Sequence, residues 1–404
     1  MLLLLAAMVF IGYSVGKPIV EFLGGREPAV NGEDLPADSP DLSDEQPKTE
    51  EVTKNAEPPA KTEPTVTETA PASQPEEVKP AAKAGGVFFI SFPESGSYQE
   101  YVLDKIDYAK ENGYSGICVE LIADGGGVLF NTQNELAVAA QAVNPNGIGD
   151  LAAVVKAAQD AGLKPYARIS ALSDHIASWY DKSVSYMIEG SISRWLDNGI
   201  NSGGKPWLSP FEQRSKDYIG GLCREISEAG FEGLIAKDME FPKFRQRDLD
   251  YIGSKVKSAD RYKALVDFSE TVYNSFGTAK EFLIEADIED IVSGSDELLC
   301  HSQELCTKTV YINFDPERIG LRIRRTNGDE ISLEGLDNAN ILKVLLRHVG
   351  ERLEGSGLTV LPVISGCEVD DSMIAVLEDM GFDPENVAVL EKEPAGSADF
   401  GQAL

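Results

Sequence analysis

Carboxylate side chains stand at the ends of several strand-like segments of this 404-residue chain. Cleavage of a glycosidic bond needs two of them, one to protonate the leaving oxygen and one to attack or to activate water. The candidate catalytic residues are Glu120, Asp238, Glu240, Glu285 and Asp287. Glu285 and Asp287 are two residues apart, so in a strand they share a face. A chain with 67 acidic residues also brings carboxylates to any rim by chance, so a solvated acidic face is the alternative for each residue.

The aromatic residues of one long connection form a second group that could bind a sugar. All three tryptophans of the chain, Trp179, Trp195 and Trp207, lie between Ser170 and Glu232. Indole rings offer large apolar faces that suit the C–H-rich faces of sugars, and a long connection inside a domain is often functional. We predict that Trp195 or Trp207 lines an open groove. Packing inside the core is the alternative for each ring.

Composition argues against several other kinds of site. The chain has 36 basic and 67 acidic residues, a formal net charge of −31, which disfavours nucleic acid and anionic membrane surfaces as partners. Its three histidines and five cysteines do not form a zinc-binding pattern, and no G-x-S-x-G motif is present. We therefore predict no metal and no cofactor. Cys300 and Cys306 form either a disulfide or two buried thiols.

The elements that must position these residues alternate between strand and helix patterns. Eight short apolar segments, rich in β-branched residues, are separated by segments of helical spacing, and several of these end at a glycine. The predicted strands are Val87–Ser91, Gly116–Leu121, Lys164–Ile169, Gly233–Ala236, Phe282–Ala286, Thr309–Phe314, Leu358–Ile364 and Val387–Leu390. Eight such units over roughly 300 residues predict an α/β fold, a (β/α)8 TIM-like barrel whose site lies at the C-terminal ends of the strands. A doubly wound open sheet is the alternative.

Two further segments precede the predicted barrel. Residues 1–25 include an uncharged run from Leu2 to Val15, which predicts a membrane anchor helix; a cleaved signal peptide and a buried core helix are the alternatives. Residues 26–84 are predicted to be a disordered acidic, Pro-rich linker, because Glu27–Ala84 holds ten prolines, 14 acidic residues and no aromatic residue. We expect a single-pass protein of the cell membrane whose domain, residues 85–392, is extracytoplasmic, and a flexible tail at 393–404.

Five segments, in order, resemble motifs of a bacterial family of glycoside-hydrolase-like proteins with amylase-like TIM barrels. GFEGLIAKDMEFP, residues 230–242, is similar to the family's G-F-D-E-I-x-F-D-Y-I-R-F-P stretch. The other four are GICVELIADGGG (116–127), PYARISALSDH (165–175), WLSP (207–210) and LIEADI (283–288). The resemblance covers most of residues 85–314 and implies a carbohydrate-active barrel. These motifs contain four further substrate-binding candidates: Asp124, Arg168, Asp174 and Lys237.

The fourth-strand motif departs from the family at its reactive position. In a gap-free alignment the family's Asp falls on Lys237 and its Tyr on Asp238. A lysine cannot be the carboxylate nucleophile, and Asp238 replaces it only if the strand end shifts by one residue, which swaps the face of the side chain. By the amylase analogy the fourth strand supplies the nucleophile and the fifth the acid, and Asp287 is retained. A Lys237 that points into the barrel mouth is expected to pair with Glu120 or Asp287.

Two functions stay open on this basis. The first is a glycoside hydrolase that acts on cell-envelope or external polysaccharide. The second is a catalytically inactive descendant that binds glycan or serves as an envelope scaffold. Lys237 favours the second function, whereas Asp287 and the tryptophan-rich connection fit both.

Overall fold

A closed barrel of eight parallel strands is the centre of the computed structural model, which describes residues 85–391. The first barrel strand pairs with both the second and the eighth, so the sheet has no open edge between them. In chain order the barrel strands are Val87–Ile90, Gly116–Ile122, Lys164–Ser170, Gly233–Lys237, Glu281–Asp287, Thr309–Phe314, Thr359–Ile364 and Ala388–Leu390. The predicted (β/α)8 barrel is confirmed, and the open-sheet alternative is excluded. The predicted anchor, linker and tail lie outside the described residues.

Helices follow seven of the barrel strands within residues 85–391. Their bounds are Tyr98–Glu111, Leu151–Asp160, Gln213–Glu228, Tyr262–Phe276, Ile288–Ser293, Asn338–Leu353 and Asp371–Asp379. Several begin at a side chain that accepts a backbone N–H of the first turn, as Ser97, Asp150 and Asp337 do. In this part of the chain no helix is both long and apolar enough to cross a membrane.

An apolar layer fills the interior of the barrel. Each barrel strand contributes to it, because alternate side chains of a strand point to opposite faces of the sheet. The layer consists of Val87, Phe89, Cys118, Tyr166, Ile235, Leu283, Tyr311, Val363, Ala388 and Leu390. Two residues further along strands two to five stand Glu120, Arg168, Lys237 and Glu285. The apolar layer is thus the floor of the barrel mouth, and a charged layer lies above it.

The connections after the strands carry extra elements at the C-terminal rim. The longest joins the third and fourth strands and contains a short helix, His175–Tyr180. Two short strands, Val128–Phe130 and Val143–Ile148, extend the sheet beside the second barrel strand. A hairpin of Arg322–Arg324 and Glu330–Ser332 follows the sixth. Short helices also lie at Glu135–Ala139, Gln246–Ile252 and Ser254–Lys257.

Candidate active site

A small polar cavity opens at the C-terminal ends of the barrel strands. Its volume is about 160 Å³, below the roughly 300–1,000 Å³ of typical small-molecule sites. Its polar and charged lining residues are Asp124, Arg168, Lys237, Asp238, Glu240, Glu285, Asp287, Asp296, Asn313 and Arg318. Four of the five predicted catalytic residues therefore lie together, and the fifth, Glu120, joins them through Arg168. A larger cleft of about 420 Å³ lies against the outer helix Gln213–Glu228, but barrel active sites form at strand ends.

Arg168 is the centre of a buried ion network in this cavity. Its Nε and Nη2 donate to the two carboxylate oxygens of Glu285 at 2.7 and 2.6 Å, and its Nη1 lies 3.3 Å from Glu120 Oε1. All three side chains are buried. Burial lowers the pKa of Arg168, but Glu285 and Glu120 outweigh burial and raise it. Because both oxygens of Glu285 accept from one guanidinium, this carboxylate is held in one orientation.

Lys237 and Asp238 end the fourth strand, and both reach the mouth. Lys237 Nζ lies 3.9 Å from Glu120, one of the two partners expected for it, and 3.7 Å from Asp238 Oδ2, which is a further partner. Burial lowers the pKa of Lys237, but Asp238 and Glu120 more than offset this and raise it, so the ammonium stays charged. Together Lys237, Arg168, Glu120 and Glu285 carry two charges of each sign.

The backbone at Asp238 explains how this carboxylate reaches the mouth. Its φ is 54°, in the left-handed region that few residues other than glycine, asparagine and aspartate adopt. Ser170 Oγ donates a 2.6 Å hydrogen bond to Asp238 Oδ2, which fixes the carboxylate beside the end of the third strand. The left-handed φ therefore turns the Asp238 carboxylate towards the mouth without the one-residue shift of the strand end that strand alternation would require.

Three carboxyl groups that line the cavity have perturbed pKa values, those of Asp287, Glu240 and Asp296. Burial raises the pKa of Asp296 to about 6. Burial and the carboxylates of Glu285 and Asp238 raise the pKa of Asp287 to about 6. Its side chain is nevertheless exposed at the rim, so repulsion between the carboxylates is the firmer reason for this shift. Burial and the carboxylates of Asp290 and Asp238 raise the pKa of Glu240 to about 9. Carboxyl groups with separated pKa values within one site are typical of acid–base catalysis.

Asp124 lines the cavity, whereas Asp174 lies behind its wall. Ser173 Oγ donates to Asp124 Oδ1 at 2.6 Å. Asp174 is fully buried and caps the helix His175–Tyr180 by accepting a backbone N–H at 2.8 Å. A Cβ on Gly126, whose φ is 98°, would collide with the Asp174 carboxyl. Asp174 therefore supports the loop that carries Asp124, and this placement corrects the prediction that it contacts the substrate.

The two tryptophans predicted to bind substrate lie in different surroundings, one in the core and one half-buried. Trp195 is 3% exposed, and its ring centroid lies 4.9 Å from that of Phe244 and 5.9 Å from that of Tyr186. A ring enclosed by other rings has no face free for a sugar, so the groove prediction for Trp195 is corrected to a core position. Trp207 is half-buried, and its Nε1 donates to Asp197 at 3.1 Å. It lies outside the cavity lining, and its binding role stays a prediction.

Three lining residues and one supporting residue escaped the sequence analysis. Asn313 donates to Asp287 at 3.3 Å and accepts from Ser365 at 2.8 Å, and Ser170 holds Asp238. Asn313 and Ser170 were accessible from the sequence, since each lies two residues after an inward-facing side chain. Asp296 and Arg318 come from loops, in which sequence periodicity does not indicate where a side chain points.

The cysteines and histidines take no part in this site. Cys300 and Cys306 are free and exposed, so neither of the predicted alternatives, a disulfide or two buried thiols, is found. Among residues 85–391 no group of three or more His, Cys, Asp or Glu side chains is arranged to hold a metal ion.

Comparison with solved structures finds similar chains at low identity. A hypothetical protein from Ruminiclostridium thermocellum ATCC 27405 is 16% identical, with 49% of this chain and 96% of that chain covered and a TM-score of 0.41. The β-N-acetylhexosaminidase of glycoside hydrolase family 20 from Streptomyces coelicolor A3(2) is 11% identical, covering 70% of this chain and 48% of that chain, with a TM-score of 0.41. This chain thus spans about half the length of the hexosaminidase.

A third structure is the glycoside hydrolase domain of PelA from Pseudomonas aeruginosa. It is 10% identical, covers 78% of this chain and 96% of that chain, and has a TM-score of 0.39. No curated protein sequence matches the chain. A family model does match, over residues 87–305, which is just over half of the chain, and its description is "Putative glycosyl hydrolase domain". The chain therefore belongs to this family of glycosyl hydrolase domains.

Proposed function

We propose that the barrel cleaves glycosidic bonds at its C-terminal mouth, with Asp287 as the proton donor and Asp238 as its ionised partner. One observation carries the proposal. A carboxyl group whose pKa is raised to about 6 stands near a carboxylate that Lys237 and Ser170 stabilise, and both line the same cavity. A glycosidase needs one protonated and one ionised carboxyl group at its site.

The proposed reaction transfers one proton to the glycosidic oxygen and breaks the bond between that oxygen and the anomeric carbon. Asp287 transfers its proton to the glycosidic oxygen while the bond from that oxygen to the anomeric carbon breaks. Asp238 either attacks the anomeric carbon directly or takes a proton from the water that does. Direct attack leaves the sugar as an ester on Asp238; water, which gives a proton back to Asp287, then breaks this ester and its hydroxyl ends on the sugar. In the other route the hydroxyl of the water ends on the sugar at once, Asp238 keeps the proton of that water, and exchange with solvent restores both carboxyl groups. Glu240 is the substitute donor, because its pKa of about 9 keeps it protonated at neutral pH.

Glu285 and Glu120 have a different role in this proposal. Glu285 gives both oxygens to Arg168, and Glu120 contacts Arg168 and Lys237, so both carboxylates are engaged with cations. They hold Arg168 and Lys237, and Lys237 lies 3.7 Å from Asp238. Of the two carboxylates, Glu285 also contributes to the raised pKa of Asp287, after burial.

The second candidate function is glycan binding without cleavage. Lys237 favours it, because a lysine occupies the position where the resembling family motif has its aspartate. A cation 3.7 Å from Asp238 weakens that carboxylate as a nucleophile.

For both functions we propose that the N-terminal segment and the acidic linker hold the domain outside the membrane. The target is then polysaccharide of the cell envelope or of the surroundings. The uncharged run at residues 2–15 and the proline-rich composition of residues 26–84 support this location.

A screen of polysaccharides, scored by the release of reducing ends, tests the proposal. Wild-type protein is compared with Asp287→Asn and with Asp104→Asn, a matched change on the exposed face of an outer helix. The proposal predicts turnover by the wild type and the control, and a loss of about 100-fold or more in Asp287→Asn. Equal background in all three proteins overturns hydrolysis and leaves the binding function, which direct measurement of polysaccharide affinity then tests.

A further inference from the structure

We infer that Trp179 forms an aromatic subsite for a sugar ring beyond the catalytic cavity, so the barrel takes a polysaccharide chain and not an isolated small glycoside. The inference rests on the proposed function, since it names the class of substrate for the same rim. Trp179 does not line the cavity, and the sequence analysis chose the other two tryptophans. The three indole rings differ in exposure. Trp179 is 39% exposed, whereas Trp195 is 3% exposed and Trp207 is half-buried.

The Trp179 ring is held in place before any ligand arrives. The Arg194 guanidinium lies over it, with the Cζ atom 5.7 Å from the ring centroid, and Arg194 Nη2 donates to the Trp179 carbonyl oxygen at 2.6 Å. A cation over one face leaves the opposite face as the available stacking surface. A ring fixed in this way loses little conformational entropy when a sugar stacks on it.

The backbone links Trp179 to the wall of the cavity. Its helix, His175–Tyr180, starts at the rim, where the Gly125 N–H donates to the Ser173 carbonyl at 2.8 Å and the His175 N–H donates to the Gly125 carbonyl at 3.0 Å. The Ser173 hydroxyl holds Asp124, which lines the cavity. Trp179 lies four residues beyond His175, about 6 Å along the helix axis. The loop that carries Asp124 and the helix that carries Trp179 therefore form one hydrogen-bonded unit, and in this proposal a chain of sugars that leaves the cavity past Asp124 runs over the exposed indole.

The surroundings of Trp179 suit a glycan better than a protein partner. Polar groups alternate with the exposed rings: Lys182 donates to the Ile192 carbonyl at 3.0 Å, and Asp181 accepts from Arg214 at 2.9 Å. Sugars combine apolar ring faces with many hydroxyls, so an aromatic surface edged by donors and acceptors matches them. A protein interface of useful affinity needs a contiguous apolar centre instead. Here the exposed side chains of Tyr180 and Ile192 have charged neighbours, since Asp181 follows Tyr180 and Lys182 donates to the Ile192 carbonyl.

Affinity as a function of oligosaccharide length tests this subsite. Polysaccharides and their defined fragments, from disaccharides upwards, are titrated against wild-type protein, Trp179→Ala and Tyr108→Ala, which removes an aromatic ring of similar exposure, 45%, from an outer helix. We expect Trp179→Ala to bind the longer fragments about three- to tenfold more weakly and disaccharides as the wild type does. Tyr108→Ala should match the wild type throughout. Circular dichroism melts monitor folding, and Trp179→Phe should restore most of the affinity.

The outcomes separate this inference from the proposed function. Unchanged affinity of folded Trp179→Ala for long fragments, in a protein that cleaves them, overturns the subsite and leaves the hydrolase proposal intact. Length-dependent loss in a protein that cleaves nothing supports the subsite and overturns hydrolysis. An equal loss for disaccharides and long fragments also overturns the subsite, because Trp179 would then act inside or through the cavity. Failure of the wild type to bind any polysaccharide overturns both proposals.

Discussion

Removing the guanidinium of Arg168 should destabilise the barrel far more than removing the whole Arg168–Glu285 pair. Both Arg168 and Glu285 are nearly inaccessible, with side chains 8% and 3% exposed. The change Arg168→Met leaves Glu285 buried without a partner and leaves Glu120 with only Lys237 at 3.9 Å. Breaking one side of a buried ion pair costs about 3–5 kcal/mol. The double change Arg168→Met with Glu285→Leu removes both charges, and one charge of each sign remains, on Lys237 and Glu120.

Urea unfolding followed by circular dichroism measures both effects. With an m-value of about 3 kcal/mol per M, the single variant should lose about 1–1.7 M in its unfolding midpoint. The double variant should be at least about 2 kcal/mol more stable than the single variant, because an uncompensated buried charge is the main cost. Arg322→Met is the control, since Arg322 pairs with Glu330 and Glu334 on the surface, where such pairs contribute about 0–1 kcal/mol. Additive costs of the two single changes, Arg168→Met and Glu285→Leu, in the double variant would refute the reasoning.

Three other predictions address the core, the rim loop and the membrane segment. Trp195→Ala should lower the free energy of unfolding by about 3–5 kcal/mol in urea melts, because its ring fills the core, and a cost no greater than that of Trp207→Ala would contradict this. Gly126→Ala should lower the melting temperature by several degrees, because φ is positive there and the new methyl group would collide with Asp174. An unchanged melting temperature would contradict this, because it would show that the loop backbone relaxes around the methyl group. The full chain should stay in the membrane fraction after a high-salt wash, whereas a chain that begins at Gly85 should be soluble and folded. Recovery of mature protein cleaved between Val15 and Arg26 would contradict the anchor.

The barrel was predictable from the sequence because its strands are short, apolar and regularly separated. All eight predicted strands occur. Thr309–Phe314 has the predicted bounds, and each of the others differs from its prediction by one residue at one or both ends. The inward-facing carboxylates Glu120 and Glu285 were also accessible, because strand alternation decides which side chains enter the barrel.

The remaining features of the site depend on backbone geometry and on pairing in space. The sequence pattern gave no sign that Asp238 adopts a left-handed φ, so strand alternation directed its carboxylate away from the mouth. The pairing of Arg168 with Glu285 joins residues 117 positions apart. The exposure of each tryptophan also depends on packing in space. The composition of the connection indicated that the aromatic residues cluster, but not which ring is exposed. The exposed ring is Trp179, and Trp195 is enclosed by Tyr186 and Phe244.

The pH dependence of glycan cleavage tests most directly the claim that Asp287 donates the proton. A general acid works only while it is protonated, and the pKa of Asp287 is raised to about 6. On a polysaccharide that the wild type cleaves, the rate should therefore be highest below about pH 6 and fall about tenfold per pH unit above it. Asp287→Asn should lose that limb together with most of the activity, and Asp104→Asn should retain both. A wild-type rate that stays constant or rises between pH 6 and 8, or an Asp287→Asn protein as active as the wild type, would contradict the account.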